Sequence, residues 1–449
     1  MLGKGKIVAM ILLDTALAKR VHEDRPIRAA LIGAGFMGAG IINQIVRYCP
    51  GIHLVVVANR TPSKAVDAYN AAGIHEVESV DSAVKVDELV RTNRYGVCDD
   101  YKHVLECESI DVVVESTGHV EFGAKFICAA IEHGKDVVNM NAELDATVGP
   151  WLKVLADKAG VIVTGCDGDQ PAVQINLCRF VESIGLNPMV CGNIKGLQDR
   201  YRTPETQLSF AKQWGQTATM VTSFADGTKI SFEQAIVANA TGMQVATRGM
   251  IGHNHDGHVD DMVDWYDLEM LREKGGIVDY VVGPKPGPGV FVFAENRDDN
   301  VQKHYLNYGK LGEGPLYSFY IPYHLTVLEV PLSIARVALF RDEIIVPKNE
   351  IVVDVVATAK TDLAAGDVID DIGGFKSYGV CENATTVVHE QLLPMGIAEG
   401  AILKHNVTKD QAITYADVQL PKGRTATKLR MAQDKHFIGS SPIELSAGV

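Results

Sequence analysis

Residues 27–40 read IRAALIGAGFMGAG, and this stretch decides the fold that the sequence predicts. A short hydrophobic strand runs into Gly33-x-Gly35-x-x-Gly38, and the small and apolar residues that follow are typical of a helix. A second hydrophobic strand, HLVVVANR, comes at the interval expected of a βαβ unit. In that context the glycines predict a dinucleotide site. Gly33 allows a tight turn, and Gly35 lets the backbone approach a pyrophosphate at the helix N-terminus.

Alternating strands and helices continue to about residue 165. The segments DVVVESTG, KDVVNMN and VIVTGCDGDQP are short, valine-rich strands that end in polar residues. Such strands, separated by helices, predict an α/β fold with a Rossmann-type, doubly wound parallel sheet, which binds ligands at the carboxyl ends of its strands. The cofactor-binding residues predicted from this pattern are Gly33, Gly35, Phe36, Met37, Gly38, Asn59, Arg60, Thr61, Ser116, Thr117, Gly118 and Asn141.

The end of the second strand indicates which nicotinamide cofactor is used. An NAD site usually has an acid about twenty residues after the fingerprint, which holds the ribose 2′-hydroxyl. Here the strand ends in Asn59, Arg60 and Thr61. The neutral Asn59 does not repel a 2′-phosphate, and Arg60 can pair with one bidentately. We therefore predict NADPH as the preferred cofactor; the alternative is that Arg60 only stacks on the adenine.

Composition excludes several classes of protein. The chain has 449 residues, enough for two or three domains, and a formal charge of −14, which argues against a nucleic-acid or anionic-membrane partner. No apolar run has the length of a membrane helix. The eight cysteines form no Cys-x-x-Cys pair, which is typical of thiols in a reducing cytoplasm. The N-terminal MLGKGKIVAMILLDTALAK has some features of a signal peptide, but Asp14 interrupts its apolar run and favours a leading amphipathic helix.

The texture of the sequence predicts three domains. An NADP-binding domain covers residues 1–168 and is completed by a returning helix near 327–342. An α+β substrate domain, also used for oligomerisation, covers 169–326. It shows strand-like alternation in TKISFEQAIVANATGM and two strands joined by a Pro/Gly turn in VDYVVGPKPGPGVFVFAEN. Residues 345–449 read as a mostly-β domain of short strands.

Two resemblances carry the functional prediction. The segments ALIGAGFMG, DVVVESTG and GKDVVNMNAELDATVG resemble the homoserine dehydrogenase superfamily, although the lysine that follows the matching asparagine there is replaced by Ala142 and Glu143. The tail from about Val352 to Leu420, with TDLAAGDVI and ITYADVQL, resembles a SAF domain, a small β-clip module. Together these parts resemble the 1-deoxy-D-xylulose 5-phosphate reductoisomerase-like family over nearly the whole chain.

That resemblance implies a homodimer that rearranges 1-deoxy-D-xylulose 5-phosphate and reduces the product with NADPH to 2-C-methyl-D-erythritol 4-phosphate, an isoprenoid precursor. The chemistry needs cations for the phosphate, electrophiles for the developing oxyanion and an acid–base group. Catalytic candidates are Lys195, Lys229, Asp169 and Glu143. Substrate-binding candidates are Arg200, Arg202, Gln170 and Asn239.

Each candidate has an alternative interpretation. Arg200 and Arg202 could be solvated surface residues, Lys229 an exposed strand lysine, and Asp169 a turn cap. The stretch HNHDGHVDDMVD makes a divalent metal possible, but it contains no helical His-x-x-x-His pair, and we assign no metal ligand. Two other functions stay open: homoserine dehydrogenase-like hydride transfer on a small hydroxy or keto acid without rearrangement, and a non-catalytic NADPH sensor.

Overall fold

The computed structural model describes residues 10–297, 299–348 and 350–441. Two compact units divide the chain. The first contains the residues up to Leu144, Trp151–Asp169 and Leu325–Val346, and the second contains Asp145–Pro150, Gln170–His324 and the residues from Pro347 onward. Within the three described ranges, no helix combines the length and the apolar character that crossing a membrane requires.

Sixteen strands form four sheets. They are β1 (Ile27–Ile32), β2 (Ile52–Ala58), β3 (Val77–Ser79), β4 (Tyr95–Cys98), β5 (Val112–Glu115), β6 (Asp136–Asn139), β7 (Val163–Gly165), β8 (Asn187–Lys195), β9 (His253–Asn254), β10 (Ile277–Val282), β11 (Gly289–Glu295), β12 (Leu316–Ile321), β13 (Val353–Ala359), β14 (Ser377–Asn383), β15 (Ile402–Leu403) and β16 (Val418–Gln419) in the described residues.

The α-helices alternate with these strands. They are α1 (Met10–His22), α2 (Phe36–Tyr48), α3 (Pro62–Ala71), α4 (Ala83–Thr92), α5 (Lys102–Leu105), α6 (Val120–Glu132), α7 (Ala142–Ala159), α8 (Gln170–Ser183), α9 (Pro204–Trp214), α10 (Ala218–Ala225), α11 (Thr228–Thr241), α12 (Leu268–Lys274), α13 (Asn300–Tyr308), α14 (Thr326–Ala335), α15 (Ala384–Glu390), α16 (Met395–Ala398) and α17 (Thr425–Phe437).

The first unit is built on a parallel seven-stranded sheet in the order β3-β4-β2-β1-β5-β6-β7. Every residue of β2 is buried, as expected of a strand covered by helices on both faces. The chain builds outward from β1 to one side through β2 and later to the other side through β5. The carboxyl ends of β1 and β5 therefore flank a topological switch point, where doubly wound sheets bind their ligands. The predicted Rossmann-type α/β fold is confirmed.

Helix α14 packs against α2 in the first unit, where a Cβ added to Gly40 would lie 3.1 Å from Val327. A fully buried ion pair lies at the end of this helix. Arg336 Nη1 donates to Asp167 Oδ1 at 2.6 Å, and its Nε donates to Asp342 Oδ2 at 2.9 Å. Ser333 Oγ donates to the other Asp167 oxygen at 3.1 Å. The Asp167 carboxylate therefore fixes the segment that follows α14.

The second unit contains a mixed five-stranded sheet in the order β12-β11-β8-β10-β9. Strand β8 lies at its centre and pairs parallel with β10 and antiparallel with β11. The Pro/Gly segment between β10 and β11 joins two strands, as the sequence predicts. These strands do not pair with each other but lie on either side of β8. Val282 of β10 lies beside Lys195, and Gly289 of β11 lies beside Ile194. The connecting segment thus passes over the carboxyl end of β8.

The strand-like interpretation of TKISFEQAIVANATGM is wrong, because Thr228–Thr241 forms helix α11. All residues from Ile230 to Asn239 are buried. A helix that is buried on every side carries apolar residues around its whole circumference, so the spacing of a single apolar stripe disappears. Lys229 is consequently a residue of the first helical turn and not of an exposed strand.

Residues from Pro347 onward form short antiparallel pairs, β13–β14 and β15–β16, together with α15–α17. Asn239 joins the start of β13 to α11: its Oδ1 accepts from the backbone N–H of Val352 and Val353, at 2.8 and 3.1 Å. Strand β14 lies beside the start of α11, where Thr228 Oγ1 accepts from Gly379 N at 2.9 Å. The SAF resemblance and the three domain boundaries stay predictions.

Arg336→Leu should lower the free energy of unfolding by about 3 kcal/mol, because it leaves the Asp167 carboxylate buried without its cation. The matched control is Arg341→Leu. The Arg341 side chain is 53% exposed and pairs with Asp136, so its loss should cost less than about 1 kcal/mol. Urea unfolding followed by circular dichroism measures both values, and equal losses would contradict a special role for the buried pair.

Candidate functional site

The glycine turn after β1 has the geometry of a dinucleotide cradle. Gly33 has φ +103°, a left-handed conformation that favours glycine. A Cβ on Gly38 would lie 2.2 Å from the Gly33 carbonyl oxygen, so only glycine lets α2 approach the turn this closely. In contrast, a Cβ on Gly35 would meet no heavy atom within 4 Å. The backbone at Gly35 is therefore open to a ligand, as a pyrophosphate requires.

Helix α2 begins directly after this turn, with Phe36 and Met37 as its first residues. Gly35 is the N-cap residue, and no side chain caps the helix. The first backbone N–H groups of a helix lack intrahelical acceptors and carry a partial positive charge. Together with the open face of Gly35, they suit the pyrophosphate of a dinucleotide cofactor.

The end of β2 lies against the glycine turn. Asn59 Oδ1 accepts from Ala34 N at 3.0 Å, and Asn59 Nδ2 donates to the Thr61 carbonyl oxygen at 2.7 Å. Asn59 therefore holds two loops together. Arg60 and Thr61 are exposed, and Thr61 is the N-cap of α3 without a side-chain capping bond. An exposed guanidinium beside a helix N-terminus can receive a phosphate.

The end of β5 faces the same turn. Ser116 Oγ donates to the carbonyl oxygens of Ile32 and Gly33, at 3.0 and 3.2 Å. Thr117 N donates to Glu115 Oε1 at 2.8 Å, and the Thr117 hydroxyl donates to the same oxygen. Gly118 follows with φ +71°. Ser116 thus couples the β5 loop to the fingerprint, and Thr117 holds a buried carboxyl group.

That carboxyl group, Glu115, has no solvent exposure. Burial raises its pKa to about 7, and the nearby charge of Glu143 adds to the increase. The buried Asn141 amide lies beside the Glu115 carboxyl and favours its ionised form, although neither Glu115 Oε2 nor Asn141 Nδ2 completes a hydrogen bond within the described part of the chain. Glu115 can therefore exchange a proton near neutral pH.

The predicted residues after β6 lie at the start of α7. Asn141 is the N-cap, and its Oδ1 accepts from Leu144 N at 3.1 Å. Glu143 is buried in the first turn of this helix, four residues after β6 ends at Asn139. The helix begins there because Asn141 supplies the capping oxygen that the first turn needs.

A chain of buried polar side chains lies between β8, α8 and α11 in the second unit. Asn193 Nδ2 donates to Glu233 Oε2 at 2.8 Å, and Gln174 Nε2 donates to Asn193 Oδ1 at 2.7 Å. Gln174 also donates to Gln234 Oε1 at 2.8 Å. All four side chains are at most 1% exposed. Buried carboxylates and amides held in this way keep fixed positions.

Lys195 is the last residue of β8 and lies near this series of polar side chains. Its surface is partly exposed, but burial around its ammonium group lowers the pKa. The carboxylate of Glu233 opposes this effect, and the ammonium of Lys229 adds to it. Two of the predicted catalytic residues, Lys195 and Lys229, are thus close enough for their charges to interact. Lys195 also interacts with the charge of Glu233. A lysine with a lowered pKa gives up a proton more readily than a solvated one.

The predicted anion-binding residues differ in their surroundings. Arg200 is exposed, with its guanidinium 5.8 Å from the centre of the Tyr378 ring. Arg202 pairs with Asp199, with Nε 3.0 Å from Oδ2. The Asn239 side chain forms its hydrogen bonds with the backbone at the start of β13.

Two more candidates lie where α8 begins. Asp169 belongs to the first unit and precedes the helix, and Gln170 is the first residue of the helix in the second unit. In the histidine-rich stretch, His255 Nε2 lies 3.3 Å from Asp261 Oδ2, and His258 Nδ1 accepts from Asp260 N at 3.2 Å. These histidines are used in contacts within their own loop, and across residues 10–297, 299–348 and 350–441 no group of three or more His, Cys, Asp or Glu side chains suits a metal ion.

Two family models match adjoining parts of the chain. Residues 33–164 match the family described as homoserine dehydrogenase, NAD binding domain, and residues 168–330 match oxidoreductase DRL, catalytic domain. The chain carries a homoserine dehydrogenase-type NAD-binding domain and a DRL oxidoreductase catalytic domain. The cradle at Gly33–Gly38 lies in the first match, and Lys195, Arg200 and Glu233 lie in the second.

The curated relatives match less than a third of this chain. Homoserine dehydrogenase of Mycobacterium leprae (strain TN) is 30% identical over 139 residues, and that of Mycobacterium tuberculosis (strain ATCC 25618 / H37Rv) is 29% identical over 139 residues. Each match covers 31% of this chain and 28% of the relative.

Solved structures show a more distant likeness. An amine dehydrogenase from Mycobacterium smegmatis has 16% identity and a TM-score of 0.39, covering 72% of this chain and 93% of that one. A putative myo-inositol dehydrogenase from Sinorhizobium meliloti 1021 has 11% identity and a TM-score of 0.37, covering 69% and 86% of the two chains.

Sequence reasoning missed Glu115 and the Gln174–Asn193 pair. Glu115 directly precedes three predicted cofactor-binding residues, Ser116, Thr117 and Gly118. Its position at the end of a run of three valines is the signal that indicates a buried acid. Gln174 lies inside an otherwise apolar stretch of α8, which indicates a buried amide with a partner. No pattern in the sequence shows that this partner is Asn193.

Arg60→Ala should weaken NADPH binding about tenfold and leave NADH binding unchanged, because only NADPH offers a 2′-phosphate. The variant keeps Asn59, because Asn59→Asp would also remove the hydrogen bond from Asn59 Nδ2 to the Thr61 carbonyl oxygen. Fluorescence titration of both cofactors measures the effect, with the exposed Arg91→Ala as a control. Equal affinity of the wild type for both cofactors would show that the NADPH prediction is wrong.

Glu115→Gln should remove a pH dependence of stability. The folded state favours protonated Glu115, so the wild type is fully stabilised below the pKa of an unfolded glutamate, about 4.3, and loses this stability as the pH rises through about 7. Between pH 5 and pH 8 the wild type should lose about 2–3 kcal/mol relative to the variant, as measured by urea unfolding. The exposed Glu132→Gln is the control and should keep the pH dependence of the wild type. If Glu115→Gln also keeps that pH dependence, Glu115 is not a buried acid with a raised pKa.

Proposed function

We propose that the protein is an NADPH-dependent oxidoreductase that reduces a small phosphorylated carbonyl compound. The observation that carries the proposal is Lys195, whose ammonium is buried at the end of β8 with Glu233 and Lys229 as charged neighbours. The NAD-binding and oxidoreductase domain matches support the reaction class. The preference for a phosphorylated substrate rests on Arg200 in a chain of charge −14, where a local cation is needed to hold a dianion.

The residues at the end of β8 have separate tasks in this proposal. Bound NADPH supplies the hydride. The Lys195 ammonium donates a hydrogen bond to the substrate carbonyl and then a proton to its oxygen, and its lowered pKa eases that transfer. Glu233 holds the ammonium in place and is itself held by Asn193. Lys229 keeps the pKa of Lys195 low and adds positive charge where the oxyanion develops.

The specific reaction we propose is conversion of 1-deoxy-D-xylulose 5-phosphate to 2-C-methyl-D-erythritol 4-phosphate, and the resemblance of the sequence to reductoisomerase-like proteins over nearly the whole chain supports it. A second candidate is hydride transfer without rearrangement, and the match of residues 33–164 to homoserine dehydrogenases favours it. NADPH oxidation with ¹³C NMR of the product separates the two. A branched carbon skeleton supports the first reaction, and an unchanged skeleton supports the second.

NADPH that is bound but never oxidised by any carbonyl compound would favour the sensor alternative instead. The homodimer and the cytoplasmic location expected from the sequence stay predictions. Sedimentation of the purified full chain tests the first of them directly.

Lys195→Met should lower turnover about 10²–10³-fold, because it removes both the donor to the carbonyl oxygen and the proton. NADPH affinity should change little, since the cofactor cradle consists of other residues. Lys212→Met, at an exposed position of α9, is the matched control and should keep full turnover. Near-normal turnover of Lys195→Met would overturn the assigned role.

A further inference from the structure

A cavity of 310 Å³ lies within the second unit, and Arg200, which the proposed function uses to hold a dianion, is part of its wall. Its size is at the lower end of the range for small-molecule pockets, about 300–1,000 Å³. Its wall is formed by the loop after β8, the start of α11, the ends of β9 and β10, and strand β14. The residues used below are Gln198, Arg200, Tyr201, Asp226, Tyr280 and Tyr378.

Arg200 is the cation of this cavity. Among the described residues no carboxylate lies within ion-pair distance of Arg200, whereas Arg202 two positions later pairs with Asp199 at 3.0 Å. The Arg200 guanidinium lies over the Tyr378 ring, with 5.8 Å between its carbon and the ring centre. The Tyr378 hydroxyl is a hydrogen-bond neighbour of this guanidinium and Asp410 a nearby negative charge, and the remaining planar donors can bind an anion bidentately.

The C-terminal part of the chain holds this arrangement in place. Tyr378 OH donates to Asp410 Oδ1 at 2.9 Å, and Tyr201 OH donates to Asp410 Oδ2 at 2.7 Å. These two bonds lower the pKa of Asp410, so the carboxylate stays ionised and keeps both hydroxyls as donors. One carboxylate thus orients the ring under Arg200 and the loop that carries Arg200.

The remaining polar groups of the cavity suit hydroxyl groups of a ligand. Gln198 Oε1 is shielded from solvent and completes no hydrogen bond within the described ranges, and the Tyr280 hydroxyl lies on the same wall. The one buried acid among the wall residues named here, Asp226, is neutralised by Lys360, whose Nζ lies 2.8 Å from its Oδ2. The other acid of the wall, Asp199, pairs with Arg202, so the wall offers a cation and polar groups while both of its acids have a cationic partner.

We infer that this cavity binds the phosphate end of a small phosphorylated polyol or sugar, with Arg200 holding the phosphate and Tyr378 of β14 holding Arg200. The inference rests on the proposed function, because it places the phosphorylated substrate. It gives β13–β14 a direct part in ligand binding and makes Tyr378 a positioning residue.

Isothermal titration of the full chain with ribose 5-phosphate and with ribose tests the inference without any turnover. The two probes differ only in the phosphate. The wild type should bind ribose 5-phosphate at least about tenfold more tightly than ribose. Arg200→Ala should abolish this preference. Lys212→Ala, which removes an exposed cation of α9 outside the cavity, should keep it.

Two tyrosine variants test the positioning role. Tyr378→Leu removes the ring and should weaken ribose 5-phosphate binding about three- to tenfold, whereas Tyr378→Phe keeps the ring and should weaken it less. Arg248→Ala is the control, because Arg248 pairs with Glu382 and Glu390 and does not line the cavity. If Tyr378→Leu does not fold, as seen by circular dichroism, the Arg200 comparison decides.

The inference is wrong if the wild type shows no preference for the phosphorylated probe, or if Arg200→Ala retains that preference. Failure of the proposed function looks different. In that case NADPH is not oxidised by any phosphorylated carbonyl compound, while the preference for ribose 5-phosphate and its loss in Arg200→Ala are still observed.

Discussion

The first unit depends on how closely α2 approaches the end of β1. With 2.2 Å between the Gly33 carbonyl oxygen and the position of a Cβ on residue 38, no larger residue fits at that point of contact. Ser116 adds a hydrogen bond to the same carbonyl from the neighbouring strand, β5. Asn59 adds a third connection, from the end of β2 to Ala34. The positions of three strand ends and one helix N-terminus are therefore set by a single turn, and the cofactor cradle is formed by that turn.

The second unit achieves rigidity by a different route. Between strand β8 and helices α8 and α11, a continuous series of hydrogen bonds joins Gln174, Asn193, Gln234 and Glu233. Each of these groups would be costly to bury alone, and the hydrogen bonds between them offset much of that cost. Lys195 lies beside this series, with the carboxylate of Glu233 as a charged neighbour of its buried ammonium. A reactive ammonium next to a fixed carboxylate keeps its position during a reaction, and this preorganisation is what lowers a barrier.

Local patterns in the sequence predict the first unit well and the second unit only in part. The glycine spacing and the valine-rich strands identify β1, α2, β2 and β5, because each element there has a distinct periodicity. Helix α11 was misread as strand, since burial on all sides removes that periodicity. Contacts between distant positions have no local pattern at all. Arg336 meets Asp167 across 169 positions, and Asn239 meets Val352 across 113, so the roles of Asp167 and Asn239 are visible only in the structure.

Lys360 bears on how the protein can be dissected. Its ammonium lies 2.8 Å from the Asp226 carboxylate and also donates to the carbonyl oxygens of Arg202 and Gly374, at 2.9 and 2.8 Å. Lys360 is only 4% exposed, so these three bonds are its main surroundings. A shortened protein that ends before residue 347 would leave Asp226 as a lone charge in an apolar interior. The residues from Pro347 onward therefore belong to the same compact unit as the residues around Asp226, and removing them would destabilise that unit.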